Sequence, residues 1–213
     1  MRFLSYDSKF SQVLLKLSFS CWLNLLWIIC SIPIVTIGAA TTALYTVTLK
    51  MADDAESDIT RTFFKAFRDN FAQATRLWLI LLAAGLVLAG DGYIAWHMRA
   101  AASGFTAVLW TINLAVLIVA AIAYVIILLY VFPLTARFVN TDAAMLKNAF
   151  LIGIHYLFCT IVVFAIHFVM FYIIVALFTP FIIFGEGLTA YLSSLFLINV
   201  LRMCSGTAGG DAA

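Results

Sequence analysis

The chain has 213 residues, of which 65% are hydrophobic and 10% are charged, and its mean hydropathy is +1.11. Soluble globular domains carry about 25% charged residues, so this composition excludes a soluble domain and indicates an integral membrane protein. A net charge of +2 that is scattered along the chain argues against nucleic acid as a partner. Several apolar runs exceed the roughly 18 residues that mark a spanning helix, so we expect an all-α helical bundle in the lipid bilayer.

The first apolar stretch, residues 17–50, is too long for one crossing. As a single helix it would measure about 51 Å, whereas the hydrocarbon core is about 30 Å thick. Pro33 removes a helical hydrogen bond and clashes with the preceding turn, so it predicts a hairpin with legs 17–33 and 34–50. The second leg is rich in Gly, Ala and Thr, and Gly38 and Thr42 are spaced for close helix packing inside the bundle. A lipid-facing helix or a re-entrant segment that does not cross is the alternative.

Residues 58–78 predict an amphipathic helix. Asp58 can cap its first turn, and Phe63, Phe67 and Phe71 recur at helical spacing between cationic side chains. An aromatic face with cationic edges suits a helix that lies in the membrane interface with its rings at headgroup depth. Docking onto a partner protein through the same Phe residues is the alternative.

The remaining apolar stretches complete six predicted spans. Residues 77–96 and 105–133 each form one span. Residues 149–201 need two legs, with a turn between Thr179 and Gly187 where Pro180 interrupts the helix. This arrangement places eleven of the twelve Lys and Arg residues on one side, which the positive-inside rule assigns to the cytoplasm. We expect a single membrane domain, 1–204, in the plasma membrane with both termini cytoplasmic, and a disordered tail, 205–213.

Ionisable residues within membrane segments are costly and therefore mark functional positions. The predicted topology places Asp91, Glu186 and His167 towards the outer face, and Tyr93 and Trp96 at the same level. Carboxylates that accept hydroxyl hydrogen bonds, together with aromatic rings, form a predicted outer vestibule for a polyol. The alternative is an interfacial belt of aromatic residues with carboxylates that reach water at helix ends.

Other polar residues in the spans predict packing instead of chemistry. His155 and His167 are twelve residues apart and too distant along a helix to share a metal ion. Asn24 predicts an interhelical hydrogen bond. The four cysteines lack C-x-x-C spacing and are expected to behave as small hydrophobic residues. No nucleotide-binding or hydrolase motif is present, so the sequence predicts no enzyme, no cofactor and no metal site.

The segment NTDAAMLKNAFLIG, residues 140–153, suggests a partner contact. Its Asp142, Ala143 and Ala144 resemble the start of the E-A-A loop by which importer permeases contact their ATPase. Asn148 stands where that loop has a glycine. The alternative is that Thr141 or Asp142 caps the next helix.

Four blocks of the chain resemble the YesL family of bacterial membrane proteins, whose domain has no assigned function. They are NLLWIICSIPIVTIGAATTALY (24–45), FFKAFRDNFAQATRLW (63–78), YVFPLTARF (130–138) with LKNAF (146–150), and GEGLTAYLSS (185–194). The resemblance implies an all-helical polytopic protein, often encoded beside carbohydrate importers and glycan-degrading enzymes in Gram-positive bacteria. It implies no catalytic residues.

These observations predict a non-enzymatic accessory or component of carbohydrate uptake. Its expected partners are the lipid bilayer, importer subunits and a second copy of the chain. A membrane-embedded sensor or regulatory scaffold is the first alternative. An intramembrane enzyme that uses Asp91 and His167 is the second.

Overall fold

The computed structural model describes residues 9–55, 58–177, 181 and 183–208, and within them the secondary structure is helical. A 3₁₀ turn, Ile34–Thr36, joins α1 to α2, and a short π-helix, Ile173–Leu177, extends α6. The α-helices in these described residues are α1 (Lys9–Ser31), α2 (Ile37–Ala52), α3 (Ile59–Ala101), α4 (Gly104–Arg137), α5 (Asp142–His155), α6 (Leu157–Tyr172) and α7 (Gly185–Ala208). The basic lead at Arg2, the turn at Thr179 and Pro180, and residues 209–213 of the predicted tail lie outside the described residues.

Among the described residues, six helical segments are long and apolar enough to cross a membrane. They are Ser11–Ser31, Ile34–Ala52, Ile59–Ala101, Gly104–Arg137, Leu157–Ala176 and Gly185–Ser205. The prediction of an all-helical bundle with six such segments is therefore confirmed.

The first two helices form the predicted hairpin. α1 ends at Ser31, just before Pro33, and the chain then returns. Trp27 Nε1 donates to Thr41 Oγ1 at 3.0 Å, and nearer the open end Lys16 Nζ donates to the Met51 carbonyl oxygen at 3.0 Å. These pairings show that α1 and α2 run antiparallel.

α2 is the most enclosed of the spans, since twelve of its sixteen residues are buried. At Gly38 a Cβ would stand 2.4 Å from the Ala74 carbonyl oxygen and 2.6 Å from Trp78 Cβ. Thr42 is fully buried. The prediction that this leg packs inside the bundle through small residues is confirmed.

α3 differs from the prediction because the Phe-rich segment and the following span are one continuous helix. Asp58 caps it as predicted and accepts from Arg61 N at 3.0 Å. No Gly or Pro occurs between 59 and 84, so nothing breaks the helix near 77. Its 43 residues extend about 65 Å. The segment 58–78 is thus no separate interfacial helix. Its first half lies beside the hairpin, where Trp22 Nε1 donates to Thr60 Oγ1 at 2.9 Å.

One end of the bundle gathers charged side chains from four parts of the chain. Lys16 on α1 pairs with Asp54, and Asp53 pairs with Arg137 at the end of α4 and with Arg202 on α7. The first half of α1, the α2–α3 connection and the ends of α4 and α7 therefore lie together. This agrees with the prediction that Lys16, Arg137 and Arg202 lie on the same side.

The last apolar stretch contains a break that the sequence did not predict. The helix stops at Tyr156, where ψ is 50°, so α5 and α6 are separate helices and His155 and His167 lie on different ones. Thr141 caps α5 by accepting from Ala144 N, one of the two predicted caps. α7 extends to Ala208, into the segment that was predicted to be a disordered tail.

Candidate functional site

A half-open cavity of about 250 Å³ lies between the helices, and six of the helical elements contribute to its wall. We call it the central cavity. It is lined by Trp27, Ile37, Thr41, Tyr45, Trp78, Leu128, Leu129, Phe132, His167 and Glu186. Its polar groups are one carboxyl, one imidazole and two hydroxyls, and the rest of the wall is aliphatic or aromatic.

The charged part of this wall is a pair between α6 and α7. His167 Nε2 lies 4.0 Å from Glu186 Oε1, and the two side chains are 26% and 28% exposed. The other ring nitrogen, His167 Nδ1, lies 2.8 Å from the Val163 carbonyl oxygen. The imidazole is therefore held by its own helix, with Nε2 directed to the carboxyl group.

Asn24 positions Glu186 through the backbone at the start of α7. Its amide Nδ2 donates to the Ile183 carbonyl oxygen at 2.9 Å, and its Oδ1 accepts from Gly187 N at 3.2 Å. A helix N-terminus has N–H groups without intrahelical partners, and Asn24 satisfies one of them from a neighbouring helix. The predicted interhelical hydrogen bond of Asn24 is confirmed.

The two glycines that flank Glu186 allow α7 to approach α1. A Cβ at Gly187 would stand 2.1 Å from the Ser20 carbonyl oxygen, and one at Gly185 would stand 3.3 Å from Asn24 Oδ1. Because neither glycine has a side chain, α7 can begin in contact with α1. Glu186, which lies between the two glycines in sequence, is thereby placed at the cavity. The sequence predicted only a turn here.

The aromatic wall is fixed by hydrogen bonds of the indole nitrogens. Trp78 Nε1 donates to the Ile34 carbonyl oxygen at 2.8 Å, and the indole of Trp27 donates to Thr41. The hydroxyl hydrogen of Thr41 stays available because its oxygen serves as the acceptor. Tyr45, which is almost fully buried, completes the polar side of the wall.

The structure divides the predicted outer vestibule. His167 and Glu186 come together, whereas Asp91 lies about 20 Å further along α3 than Trp78 of the central cavity. Asp91 accepts from Asn113 Nδ2 at 3.5 Å. Tyr93 and Trp96 are 69% and 68% exposed on the same distant stretch. The predicted vestibule of five residues is therefore not one site in the described structure.

The sequence pattern did not mark Trp27, Thr41, Tyr45 and Trp78 as site residues. Apolar and aromatic side chains in a membrane segment usually indicate packing, and only the fold shows that these four surround a carboxyl group. The sequence offered one indication of this site, Tyr45, whose phenol lies within the leg 34–50 that is rich in Gly, Ala and Thr.

A second surface lies on the first half of α3. Arg61, Phe64, Lys65, Phe67 and Arg68 line an open groove, which we call the cationic groove. Of the predicted partner residues, Phe67 is half-buried and Phe71 is 41% exposed, and their rings pack edge to face at 5.5 Å.

Phe63 requires a correction as a predicted partner residue. Its side chain is fully buried, and it belongs to the main hydrophobic core. It is therefore unavailable for contact with another protein. The exposed Phe64 next to it takes that place in the groove.

Asp142, the remaining predicted partner residue, is already engaged within the chain. Arg76 Nε donates to Asp142 Oδ2 at 2.8 Å, and Gln73 Nε2 donates to Oδ1 at 3.1 Å. The hydrogen bond from the Arg76 guanidinium lowers the pKa of Asp142 below its ordinary value. These contacts fix the start of α5 against α3.

No group of three or more His, Cys, Asp or Glu residues that could hold a metal ion occurs in the described part of the chain. The four cysteines form no disulfide within the described part of the chain, and each is half-buried.

Residues 21–91 match a protein family of unknown function, DUF624. The match covers about a third of the chain, from α1 into α3, and includes Trp27, Thr41, Tyr45 and Trp78 of the central cavity. No curated protein and no solved structure matches the chain significantly.

Proposed function

We propose that this chain is a non-enzymatic plasma-membrane protein that binds a small hydroxyl-rich molecule in the central cavity and serves as an accessory or component in carbohydrate uptake. The observation that carries the proposal is the composition of the cavity wall. Glu186 and His167 Nε2 supply hydrogen-bonding groups for hydroxyls, and Thr41 and Tyr45 add side-chain hydroxyls to the wall. Trp27 and Trp78 add aromatic rings, whose apolar surface suits the C–H faces of a sugar.

The size of the cavity favours a small ligand. Its volume of about 250 Å³ is below the range of roughly 300–1,000 Å³ that is typical of pockets for drug-sized ligands. A monosaccharide or a short polyol is therefore a better match than an oligosaccharide. The resemblance to the YesL family supports the same class, because that family is often encoded beside carbohydrate importers.

The proposed orientation places both termini in the cytoplasm. The support is the charged end of the bundle, which gathers Lys16, Arg137 and Arg202, because cytoplasmic segments of membrane proteins are enriched in Lys and Arg. In this orientation the cationic groove also faces the cytoplasm. Importer subunits and a second copy of the chain are the proposed partners there.

Growth of a deletion strain on a panel of carbon sources tests this function. We expect poor growth on at least one sugar, restored by the wild-type gene and by Asp91→Asn, whose position lies outside the cavity. Glu186→Gln at equal protein level should not restore it. Full restoration by Glu186→Gln on every affected sugar would contradict the proposal.

A regulatory scaffold is the second candidate, and the cationic groove favours it. Phe64 is 47% exposed beside Arg61, Lys65 and Arg68, none of which forms an ion pair with a described residue. Exposed aromatic and arginine side chains are typical centres of protein interfaces.

Crosslinking followed by co-purification tests the scaffold. Phe64→Ser should abolish recovery of a partner, whereas the control Phe105→Ser, at an exposed position near the α3–α4 turn, should not. Equal recovery from both variants would count against this candidate.

A further inference from the structure

The hydrogen bonds of His167 define where its ring hydrogens must be. The Nδ1 atom lies 2.8 Å from the Val163 carbonyl oxygen, and a carbonyl oxygen can only accept. Nδ1 therefore carries a hydrogen. A neutral imidazole has one N–H group, so in the neutral ring Nε2 is a bare acceptor.

This bare nitrogen faces a second acceptor. Nε2 lies 4.0 Å from Glu186 Oε1, and an ionised carboxylate also only accepts hydrogen bonds. Two lone pairs would then face each other across the wall of the central cavity. One additional proton removes this conflict, either on Nε2 as an imidazolium or on Glu186 as a carboxylic acid.

Besides the N–H groups at the start of α7, where Glu186 lies in the first turn, the cavity wall offers a charged carboxylate little compensation. Among the described residues that line the cavity there is no Lys or Arg, and Tyr45 on α2 is the one further titratable group. The lining residues of α1, α3 and α4 are Trp27, Trp78 and three aliphatic or aromatic side chains. An unpaired carboxylate within an apolar helix bundle is costly, and intramembrane pairs of ionisable groups are typical of proton-binding positions.

We propose that His167 and Glu186 bind one proton between them in the ligand-free protein, so that the central cavity is also a proton site inside the bundle. The site accepts the proton without any sugar, so it goes beyond the ligand binding proposed above.

The test reads the protonation state of both side chains directly. The full chain is purified into nanodiscs near neutral pH, with nitrogen-15 label in its three histidines, and no sugar is added. Nitrogen-15 NMR distinguishes the imidazolium from the neutral Nδ1–H ring, and infrared spectroscopy detects a carboxylic acid. Substitution of His97 and His155 by Gln leaves the signal of His167 alone.

We expect an imidazolium at His167 or a carboxylic acid at Glu186 in this protein. Glu186→Gln should abolish either signal, since its amide supplies an N–H donor to Nε2 and the neutral ring then suffices. A neutral His167 together with an ionised Glu186 would overturn the proposal. Because no sugar is present, this result is independent of the proposed ligand and of any growth phenotype.

Discussion

Gly187 on α7 lies so close to α1 that a Cβ there would stand 2.1 Å from the carbonyl oxygen of Ser20. The neighbouring Asn24 accepts a hydrogen bond from the backbone of the same glycine. This contact determines where α7 begins and thereby where Glu186 meets His167. The central cavity therefore depends on a glycine that carries no functional group.

The first prediction concerns this contact. Gly187→Ala should lower the free energy of unfolding by about 1–3 kcal/mol, because the obstructing atom belongs to the backbone and cannot move aside. Thermal unfolding in detergent measures the effect. Gly92→Ala is the matched control, since a Cβ there meets nothing within 4 Å and Ala favours helices over Gly. A midpoint as low in the control as in Gly187→Ala would contradict this explanation.

The second prediction separates the two neighbouring phenylalanines at the start of α3. Phe63→Ala should destabilise the protein by about 3–5 kcal/mol because it empties a fully buried position. Phe64→Ala, which truncates an exposed ring, should leave the unfolding midpoint close to that of the wild type. Similar losses in both variants would show that the packing of α3 differs from the one described.

The third prediction is a pH dependence at the start of α5. The hydrogen bond from Arg76 lowers the pKa of Asp142 in the folded protein, so the contact stabilises the fold above the ordinary Asp pKa. This contribution is lost as the pH falls through the lowered folded pKa. Asp142→Asn should therefore reduce the unfolding midpoint by about 1–2 °C near neutral pH and by less in acid. A difference that persists unchanged at low pH would contradict it.

The fourth prediction tests the proposed orientation. In a background without the native cysteines, Ser103→Cys in the α3–α4 turn should react with an impermeant thiol reagent applied to intact cells. Asp69→Cys, at an exposed position on the first half of α3, should react only after the membrane is opened. The reverse pattern would place the charged end of the bundle outside.

The sequence predicted those parts of the fold that depend on local chemistry. Pro33 ends α1 because a proline cannot continue the helix, and Asp58 begins α3 because its carboxylate accepts from the first turn. The number of spans follows from the length of the apolar runs. Each of these properties depends only on a continuous segment of about thirty residues.

The site could not be predicted in the same way because it depends on how the helices are offset. The sequence placed Asp91 with His167 and Glu186 because the predicted topology put all three towards the outer face. α3 instead continues over 43 residues, which carries Asp91 away from the cavity. Trp78, near the middle of the same helix, reaches the cavity instead.

Titration of the purified protein in nanodiscs with a panel of monosaccharides and polyols tests directly whether the central cavity binds a ligand. Tryptophan fluorescence is the readout, because Trp27 and Trp78 line the central cavity. We predict a saturable change for at least one compound that is lost in Glu186→Gln and kept in Asp91→Asn. Absence of a saturable change for every compound, or an equal change in Glu186→Gln, would contradict the assignment of the cavity as the ligand site.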